Sequence, residues 1–418
     1  MQKENIYFFK LQQVTHFSLV ALFLAFPISL SLGYILMAWA FFLWLVSGHI
    51  ASSLILLRSN PAACAALALF GVVMLGIFYG PAPWQDVQIH LEKYVKLIMV
   101  AVLFFLLANQ PKWQVNCLNG FAAAMAFIAI SSLLNVWLQL PWSETQNQGW
   151  GVNHHVVGDH ITQNVMMSLF ALLALLRIFS ESDKIQKLLW ISLFTIATIS
   201  ITHLSTGRTG YVLLASVLAV FVAVHFRGRT LIAAATATIL ATALVLLTSE
   251  VMQARIQLAW LEALHHQSDN TSSIGHRIYN LTTTSQMFLE RPWLGWGTGA
   301  YHTEICRFIG NPDQCAIFSW HPHNQYLFLA ANHGVLGLAI FLFFLISLAW
   351  QALRSVNHQA KVMLLGLCVL LFTNSLFNSP LWSARESGFF IFLAGLLLSM
   401  AWNQRQPAPP ATSVPAAP

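Results

Sequence analysis

The residues of this chain best suited to chemistry are two arginines and a histidine that lie beside apolar runs. The first, Arg208, lies in the sequence Gly207-Arg-Thr-Gly210 between two such runs. Placing an arginine inside a bilayer is costly, so Arg208 is expected at the membrane boundary. A residue there can simply anchor a helix among the lipid headgroups. The flanking glycines, which let a backbone approach a ligand closely, favour a binding role instead, and the sequence leaves both interpretations open.

Arg277 is a second candidate for binding an anion. It lies early in a predicted amphipathic helix, where the backbone N–H groups and the helix dipole favour negative charge. Its guanidinium group can hold a phosphate through two parallel hydrogen bonds. Arg291 and Arg307 are candidates of the same type further along the segment. The alternative is a solvated helix face that binds no ligand.

The third feature is the sequence Ser319-Trp-His321-Pro-His323-Asn324. Pro322 and Asn324 predict the start of a long helix, with His323 at its positive end. The field at that end disfavours imidazolium, so the ring is expected to be neutral at physiological pH, as a general base must be. The alternatives are a capping or interfacial histidine and a metal ligand. The segment has neither a His-Glu-x-x-His helix nor a cysteine pair at zinc spacing, which argues against a zinc site.

The composition places these residues in a membrane protein. Of the 418 residues, 57% are hydrophobic and only 8% are charged, whereas soluble domains hold about 25% charged residues. The net charge of +6 does not indicate a nucleic-acid partner, because the basic residues are scattered singly between apolar runs. The first apolar run lacks a small-residue cleavage site and continues into the next, so we expect no cleavable signal peptide.

Twelve apolar runs are long enough, or nearly so, to cross a membrane, and they predict an all-α integral membrane protein. The runs lie near 14–31, 33–49, 61–79, 91–108, 114–138, 161–179, 188–204, 210–226, 230–248, 325–351, 362–379 and 388–402. The first two are barely separated. Cytoplasmic termini would put 12 of the 20 basic residues, but only three of the 14 acidic ones, in cytoplasmic segments. The positive-inside rule therefore favours cytoplasmic termini.

This topology divides the chain into four parts. Transmembrane helices occupy residues 1–248 and 325–403, and residues 249–324 form one large extracytoplasmic loop between them. Hydrophobic periodicity predicts two amphipathic helices in that loop, near 251–262 and 274–289. The proline- and alanine-rich tail, 404–418, is expected to be disordered in the cytoplasm.

Two pairs of residues on the predicted outer side complete the candidates. Cys306 and Cys315 flank a turn in the large loop, where an oxidising compartment would permit a disulfide. Lys93 and Lys96 lie at the outer end of the fourth predicted span. They are candidates for contacting phosphates of a substrate.

At these motifs the chain resembles the O-antigen ligase family, within the wider group of O-antigen ligases, polymerases and O-linked oligosaccharyltransferases. The resemblance rests on the Gly-Arg-Thr-Gly turn, the Arg277 helix with Pro292 and the Gly-Trp-Gly-Thr-Gly sequence after it, and His-Asn-Gln-Tyr-Leu from His323 with the later Gly-Val-Leu-Gly. Their order and spacing agree with the family over about residues 205–340. The resemblance implies a membrane glycosyltransferase (GT-C-like) architecture of about twelve transmembrane helices with a large periplasmic helical loop.

The resemblance also implies an activity. Such enzymes move O-antigen polysaccharide from undecaprenyl diphosphate to the lipid A-core oligosaccharide, in the bacterial inner membrane and on its periplasmic side. They invert the anomeric carbon and use no metal or other cofactor. His323, which directly precedes the asparagine, corresponds to the catalytic histidine, and Arg208 and Arg277 correspond to the arginines that bind the diphosphate. Arg291, His321, Asn324, Lys93 and Lys96 are further candidate substrate contacts.

Three other functions remain possible from the sequence. An O-antigen polymerase would share every motif. An O-linked protein oligosaccharyltransferase is expected to carry a further domain after the last span, and none is evident here. A transporter is expected to have ionisable residues or broken helices near mid-membrane, whereas the middles of these spans almost lack Asp, Glu, Lys and Arg.

Overall fold

The computed structural model describes residues 2–48, 50–265, 272–309 and 312–402, and the regular elements in these ranges are all helical. The helices of the first part of the chain are α1 (Gln2–Ala25), α2 (Leu30–Val46), α3 (Ile50–Arg58), α4 (Pro61–Gly76), α5 (Trp84–Tyr94), α6 (Ile98–Leu107), α7 (Pro111–Leu134), α8 (His160–Ser180) and α9 (Lys184–Thr202). Those of the second part are α10 (Arg208–His225), α11 (Gly228–Thr248), α12 (Glu250–Leu264), α13 (Ser273–Glu290), α14 (Tyr301–Ile309), α15 (Pro312–Phe318), α16 (Gln325–Arg354), α17 (His358–Phe377) and α18 (Ala384–Trp402). The predicted all-α fold is confirmed. The expected tail, 404–418, lies outside the described residues.

Eight of the described helices are long and apolar enough to cross a membrane. They coincide with the last eight of the twelve predicted runs and are α7, α8, α9, α10, α11, α16, α17 and α18. These helices have 18 to 30 residues and few charges, and about 20 apolar residues are enough to span the hydrocarbon core. The chain is therefore an all-α integral membrane protein.

The first four predicted runs fall on less regular helices. The boundary between the first two lies earlier than expected, because α1 ends at Ala25, Pro27 follows, and Ser29 caps α2 by accepting a hydrogen bond from Leu32 N at 3.4 Å. Helices α2 and α3 are bent by 104° relative to each other, and α4 has only 16 residues. The run near 91–108 is divided between α5 and α6, which are joined by a turn of 3-10 helix at Val95–Leu97.

The helices differ in how deeply they lie in the bundle. In α18 and α8, 89% and 78% of the most apolar stretch is buried inside the protein. No residue of α11 is buried, so this helix lies at the periphery. A peripheral apolar helix is expected to face lipid.

Helix α16 is kinked where the loop packs against it. Gly334, with φ of 63° and ψ of −162°, interrupts its helical backbone. Carbonyl groups released by the kink accept hydrogen bonds from the loop: Trp296 N donates to Ala331 O at 3.0 Å and Gly297 N donates to Asn332 O at 2.7 Å. The Gly-Trp-Gly-Thr-Gly sequence thus holds the loop to the helix whose first turn follows His323.

The connecting segments that carry the candidate residues meet at one end of the bundle, which we call the loop face. These segments are 135–159, 203–207, 249–324 and 378–383. Hydrogen bonds join them to each other and to the helix ends, as from His154 N to Leu204 O (2.9 Å) and from Leu381 N to Gln325 Oε1 (2.9 Å). Helices are present over the two loop segments where the sequence predicts them, as α12 and α13, and α14 and α15 are two further short helices.

Candidate active site

Arg208 is the first residue of α10 and lies at the loop face. Its Nη2 donates to Glu262 Oε2 of α12 at 2.9 Å, and only 14% and 12% of the two side chains is exposed. Arg208 Nη1 is buried and has no hydrogen-bond partner among the described residues. A buried guanidinium group with an unused donor is suited to bind an anion.

The glycines beside Arg208 let two helices approach each other. A Cβ atom on Gly210 would overlap the side-chain amide of Asn164 in α8, and one on Gly207 would lie 2.8 Å from the ring of His160. Asn164 Nδ2 also donates to Ser205 Oγ at 2.8 Å, which fixes the amide there. In the structure these glycines therefore make room for α8 rather than for a ligand, and the close packing positions Arg208.

Two more arginines converge with Arg208 on a cavity of about 310 Å³, which we call the arginine cavity. Arg277 lies at the start of the second turn of α13, and Arg255 of α12 donates from Nε to Thr206 O at 3.0 Å. Burial and the nearby Arg208 lower the pKa of Arg277, and Glu262 opposes them. The lining residues are His160, Ile161, Thr206, Gly207, Arg208, Thr209, Arg255, Ser273, His276, Arg277 and His323. Three guanidinium groups around one cavity favour a ligand with several negative charges.

His323 lies on the wall of the arginine cavity in a left-handed backbone conformation, with φ of 52°. Few non-glycine residues adopt this conformation, and such strain clusters at functional sites. The backbone N–H of His323 donates to His321 Nδ1 at 3.2 Å. Its own Nδ1 is buried and has no hydrogen-bond partner within the described ranges.

The imidazole of His323 is neutral at physiological pH. Burial, followed by two neighbouring histidines and Arg277, lowers the pKa of His323 to about 2. The predicted helix start is present, because Asn324 caps α16 by accepting a hydrogen bond from Leu327 N at 3.0 Å. Burial, rather than the helix dipole, is nevertheless the main reason that the ring stays uncharged.

A second cavity, of about 280 Å³, also has His323 in its lining, and we call it the polar cavity. His321 and Lys93, two of the candidates from the sequence, belong to it. Its lining residues are Lys93, Asp159, Ile161, Trp320, His321, His323, Asn378, Ser379, Trp382, Ser383, Ala384 and Glu386. His323 and Ile161 are common to both cavities, so the histidine stands on the wall between them.

Arg307, a candidate from the sequence, pairs with Glu304 at the surface and lies outside both cavities. Three other candidates also lie outside both cavities. The guanidinium group of Arg291 stacks on the ring of Trp296 with 3.9 Å between its carbon and the ring centroid. Asn324 is occupied in capping α16. Lys96 is 2% exposed, and its Nζ donates to the Ala384 carbonyl at 3.2 Å and to a tyrosine hydroxyl of α2 at 3.1 Å. In the structure these three side chains hold elements together.

The loop contains a disulfide and site residues that the sequence did not reveal. Cys306 and Cys315 are joined, with their Cα atoms 5.2 Å apart. The residues missed from the sequence are Arg255, Glu262 and His276, because periodicity predicts an amphipathic helix without showing which element it faces. Within the described ranges, no three His, Cys, Asp or Glu side chains are arranged to hold a metal ion.

Comparison with known protein families gives one match. Residues 193–342 match a family model described as O-antigen ligase. The matched segment contains Arg208, Arg277 and His323, and it ends before α17. A search of curated proteins finds no match.

Proposed function

Because the chain belongs to the O-antigen ligase family, we propose that it transfers O-antigen polysaccharide from undecaprenyl diphosphate to lipid A-core. The observation that carries this proposal is the arginine cavity, where three guanidinium groups and the neutral imidazole of His323 line the same space. A diphosphate needs several cations, and the activation of a sugar hydroxyl needs a base. The site lies at the loop face, which we assign to the periplasmic side of the bacterial inner membrane.

The arginines have the task of binding the donor and stabilising its leaving group. Arg208 and Arg277 would hold the diphosphate, and Arg255 adds a third positive charge. When the bond between the anomeric carbon and the diphosphate oxygen breaks, negative charge grows on that oxygen. Guanidinium groups already in place stabilise this charge at no cost of reorganisation.

His323 has the task of accepting the acceptor proton. As the acceptor oxygen bonds to the anomeric carbon, its proton moves to the imidazole, and the undecaprenyl diphosphate departs from the opposite face with inversion. Burial is the largest cause of the low pKa of His323, and the positive charge of Arg277 is a smaller one. The incoming diphosphate offsets that charge, so donor binding is expected to raise the pKa of His323 and strengthen it as a base.

An apolar groove supports a lipid-linked donor. A cavity of about 390 Å³ is lined mainly by apolar residues of α8, α9, α10 and α11. Its lining includes Tyr211, one turn after Arg208, and Met252, one turn before Arg255. A polyprenyl chain in this groove would place its diphosphate at the arginines.

Variants of His323 and Arg277 test the proposal. Purified protein is supplied with undecaprenyl-diphosphate-linked glycan and lipid A-core, and the transferred glycan is measured. We expect His323→Ala to fold but to lose at least about 100-fold in transfer rate, as is typical when a general base is removed. Arg277→Ala should raise the donor KM and slow transfer, whereas Arg307→Ala, a change at a surface ion pair of the same loop, should do neither. Near-normal transfer by His323→Ala would refute its assignment as the base.

The lipopolysaccharide of a strain lacking the gene separates the proposed ligase from its alternatives. Loss of the ligase is expected to leave bare lipid A-core while polymer accumulates on undecaprenyl diphosphate. Core capped with a single repeat would indicate a polymerase instead, and lipid-linked units retained on the cytoplasmic side would indicate a transporter.

We also propose that transfer needs no metal, so a chelator should leave the rate of transfer unchanged. Inhibition by the chelator that added zinc reverses would contradict this.

A further inference from the structure

The polar cavity beyond His323 has the chemistry of a sugar-binding site. We propose that this cavity binds the acceptor sugar and presents its hydroxyl group to His323. This inference rests on the proposed glycosyl transfer and deepens it by assigning the second substrate to a place. At about 280 Å³, the cavity is close to the lower end of the roughly 300–1,000 Å³ of ligand pockets.

Two tryptophans give the cavity an aromatic wall. The rings of Trp320 and Trp382 lie 5.8 Å apart at 73°, and Lys93 Nζ lies 6.0 Å from the Trp382 ring. Trp320 is 54% exposed, so part of its apolar surface is open to a ligand. Indole faces combine a large apolar area with rigidity, which suits the C–H face of a sugar ring.

Fixed polar groups form the floor of the cavity. Glu386, only 1% exposed, accepts hydrogen bonds from Asn374 Nδ2 at 2.6 Å and from Asn378 Nδ2 at 3.0 Å. Thr162 Oγ1 lies 3.3 Å from the same carboxyl group. These bonds hold Asn378 and Glu386 rigidly at the cavity wall. A preorganised carboxyl–amide pair of this kind is suited to recognise sugar hydroxyls.

Ser379 supplies an independent indication that the cavity takes a polar ligand. Its side chain is 1% exposed, and Oγ has no hydrogen-bond partner among the described residues. Buried hydroxyl groups are nearly always hydrogen-bonded, so an unused one on a cavity wall calls for a partner from outside the protein. A sugar hydroxyl, which both donates and accepts, meets this requirement.

The two cavities differ in charge, and this difference matches the two substrates of the proposed reaction. The arginine cavity carries three guanidinium groups, whereas the polar cavity combines one lysine with the carboxyl groups of Asp159 and Glu386. The first therefore favours a diphosphate and the second a hydroxyl-rich ligand without strong negative charge. Because His323 lines both cavities, its imidazole can take the proton of a hydroxyl group held in the polar cavity as that oxygen bonds to the anomeric carbon of a donor held in the arginine cavity.

The residues that would select the acceptor lie mostly outside the family match. Lys93, Asp159, Ser379, Trp382 and Glu386 all fall beyond residues 193–342. The base and the diphosphate-binding arginines fall inside it. Recognition of the acceptor thus depends largely on residues outside the matched segment, although Trp320 and His321 lie inside it.

Ser379→Ala and Trp320→Ala test the acceptor site in the full-length protein. The first removes one hydroxyl and the second an exposed ring, so both variants are expected to fold, which thermal unfolding checks. We expect each variant to raise the KM for lipid A-core about fivefold to tenfold. This is the size of effect expected when one hydrogen bond or one stacked ring is lost. The donor KM should stay within about twofold of the wild-type value, since the arginine cavity is intact. Trp293→Ala is the matched control, because Trp293 is 76% exposed and lines neither cavity.

A direct measurement of binding distinguishes failure of the proposed acceptor site from failure of the proposed function. The Kd of delipidated core oligosaccharide is measured for the same variants without any donor, and it should rise by the same factor as the acceptor KM. If wild-type protein transfers glycan but both variants keep the acceptor KM and Kd, or raise the donor KM instead, the polar cavity is not the acceptor site. If no transfer occurs with the proposed substrates, the proposed function fails, while loss of oligosaccharide binding in the variants would still support the cavity.

Discussion

At the scale of single residues, the Arg208–Glu262 pair would link binding of the proposed donor to the stability of the loop. Glu262 Oε2 accepts from Arg208 Nη2 at 2.9 Å and from the backbone N–H of Ile274 at 3.2 Å, so one carboxylate joins α10, α12 and the start of α13. A donor diphosphate would bring a second anion to the same guanidinium group. The carboxylate is an internal counter-ion of Arg208, which the proposed donor would have to share or replace.

We expect Glu262→Gln to unfold at a lower temperature than the wild type and to be stabilised more by undecaprenyl diphosphate. Removing one partner from a buried ion pair costs about 3–5 kcal/mol, because the remaining charge is left uncompensated. Bound diphosphate would replace that negative charge and restore part of the lost stability. Unfolding temperatures in detergent, with and without undecaprenyl diphosphate, measure both effects.

Glu304→Gln is the control for this change, since Glu304 pairs with Arg307 at the same 2.9 Å but the arginine is 60% exposed. An exposed pair contributes about 0–1 kcal/mol, so this variant should resemble the wild type. An equal diphosphate-induced shift in the two variants would show that Glu262 does not compete with the donor.

Because histidines beside the site are buried, we expect the protein to lose stability in mild acid. Burial, with a smaller contribution from His276, lowers the pKa of His321 to about 4 in the folded state, against 6.5 for an ordinary histidine. Between these values the unfolded chain binds a proton that the folded chain does not. Stability is therefore fully present above pH 6.5 and falls as the pH drops towards 4, by up to about 2 kcal/mol between pH 7 and pH 5.

Thermal unfolding of the wild type and of His321→Asn at the two pH values measures this contribution. Asparagine keeps an acceptor for the backbone N–H of His323 but does not titrate in this range. The variant should lose less stability between pH 7 and pH 5 than the wild type. Identical losses would mean that His321 is not the group that titrates.

At the scale of elements, the kink in α16 is what brings the loop and His323 together. Gly334 has φ of 63°, and a Cβ atom there would overlap the carbonyl group of Trp293. We expect Gly334→Ala to destabilise the protein by about 3 kcal/mol or more, from backbone strain plus the clash, and to slow transfer. Gly71→Ala in α4 is the matched control, because a Cβ atom there meets nothing within 4 Å and alanine favours a helix. Unfolding temperature and transfer rate report the two effects, and a stable, active Gly334→Ala would show that the kink is dispensable.

The helices themselves were largely predictable from the sequence, and their interruptions were not. Runs of about 20 apolar residues gave the last eight spans, and periodicity gave α12 and α13. The kink at Gly334 was not predictable, because it depends on hydrogen bonds to the Gly-Trp-Gly-Thr-Gly segment about 40 residues earlier. Lys96 and Arg291 were misjudged for the same reason. Lysine and arginine suit phosphate binding, but these two side chains contact other parts of the protein, which the sequence does not show.

At the scale of the whole molecule, the candidate site is a product of the bundle's packing rather than of one segment. The arginine cavity draws on α8, α10, α12 and α13, and the polar cavity draws on α5, α8 and α18. The sequence could single out Arg208, Arg277 and His323 by their motifs. It could not reveal that His323 separates two cavities of different charge, because no local pattern encodes the approach of distant helices.

The proposed reaction requires the loop face to lie in the periplasm, and charge already favours that orientation. The opposite end carries the arginine- and lysine-rich turns, including Arg227, Arg229 and Lys187, which the positive-inside rule assigns to the cytoplasm. In a background with Cys64, Cys117 and Cys368 replaced by alanine, we expect a membrane-impermeant maleimide to label intact spheroplasts carrying Gln286→Cys but not those carrying Arg229→Cys. Both positions are exposed, so after lysis both should react. The reverse labelling pattern would place the site in the cytoplasm, where a periplasmic acceptor could not reach it.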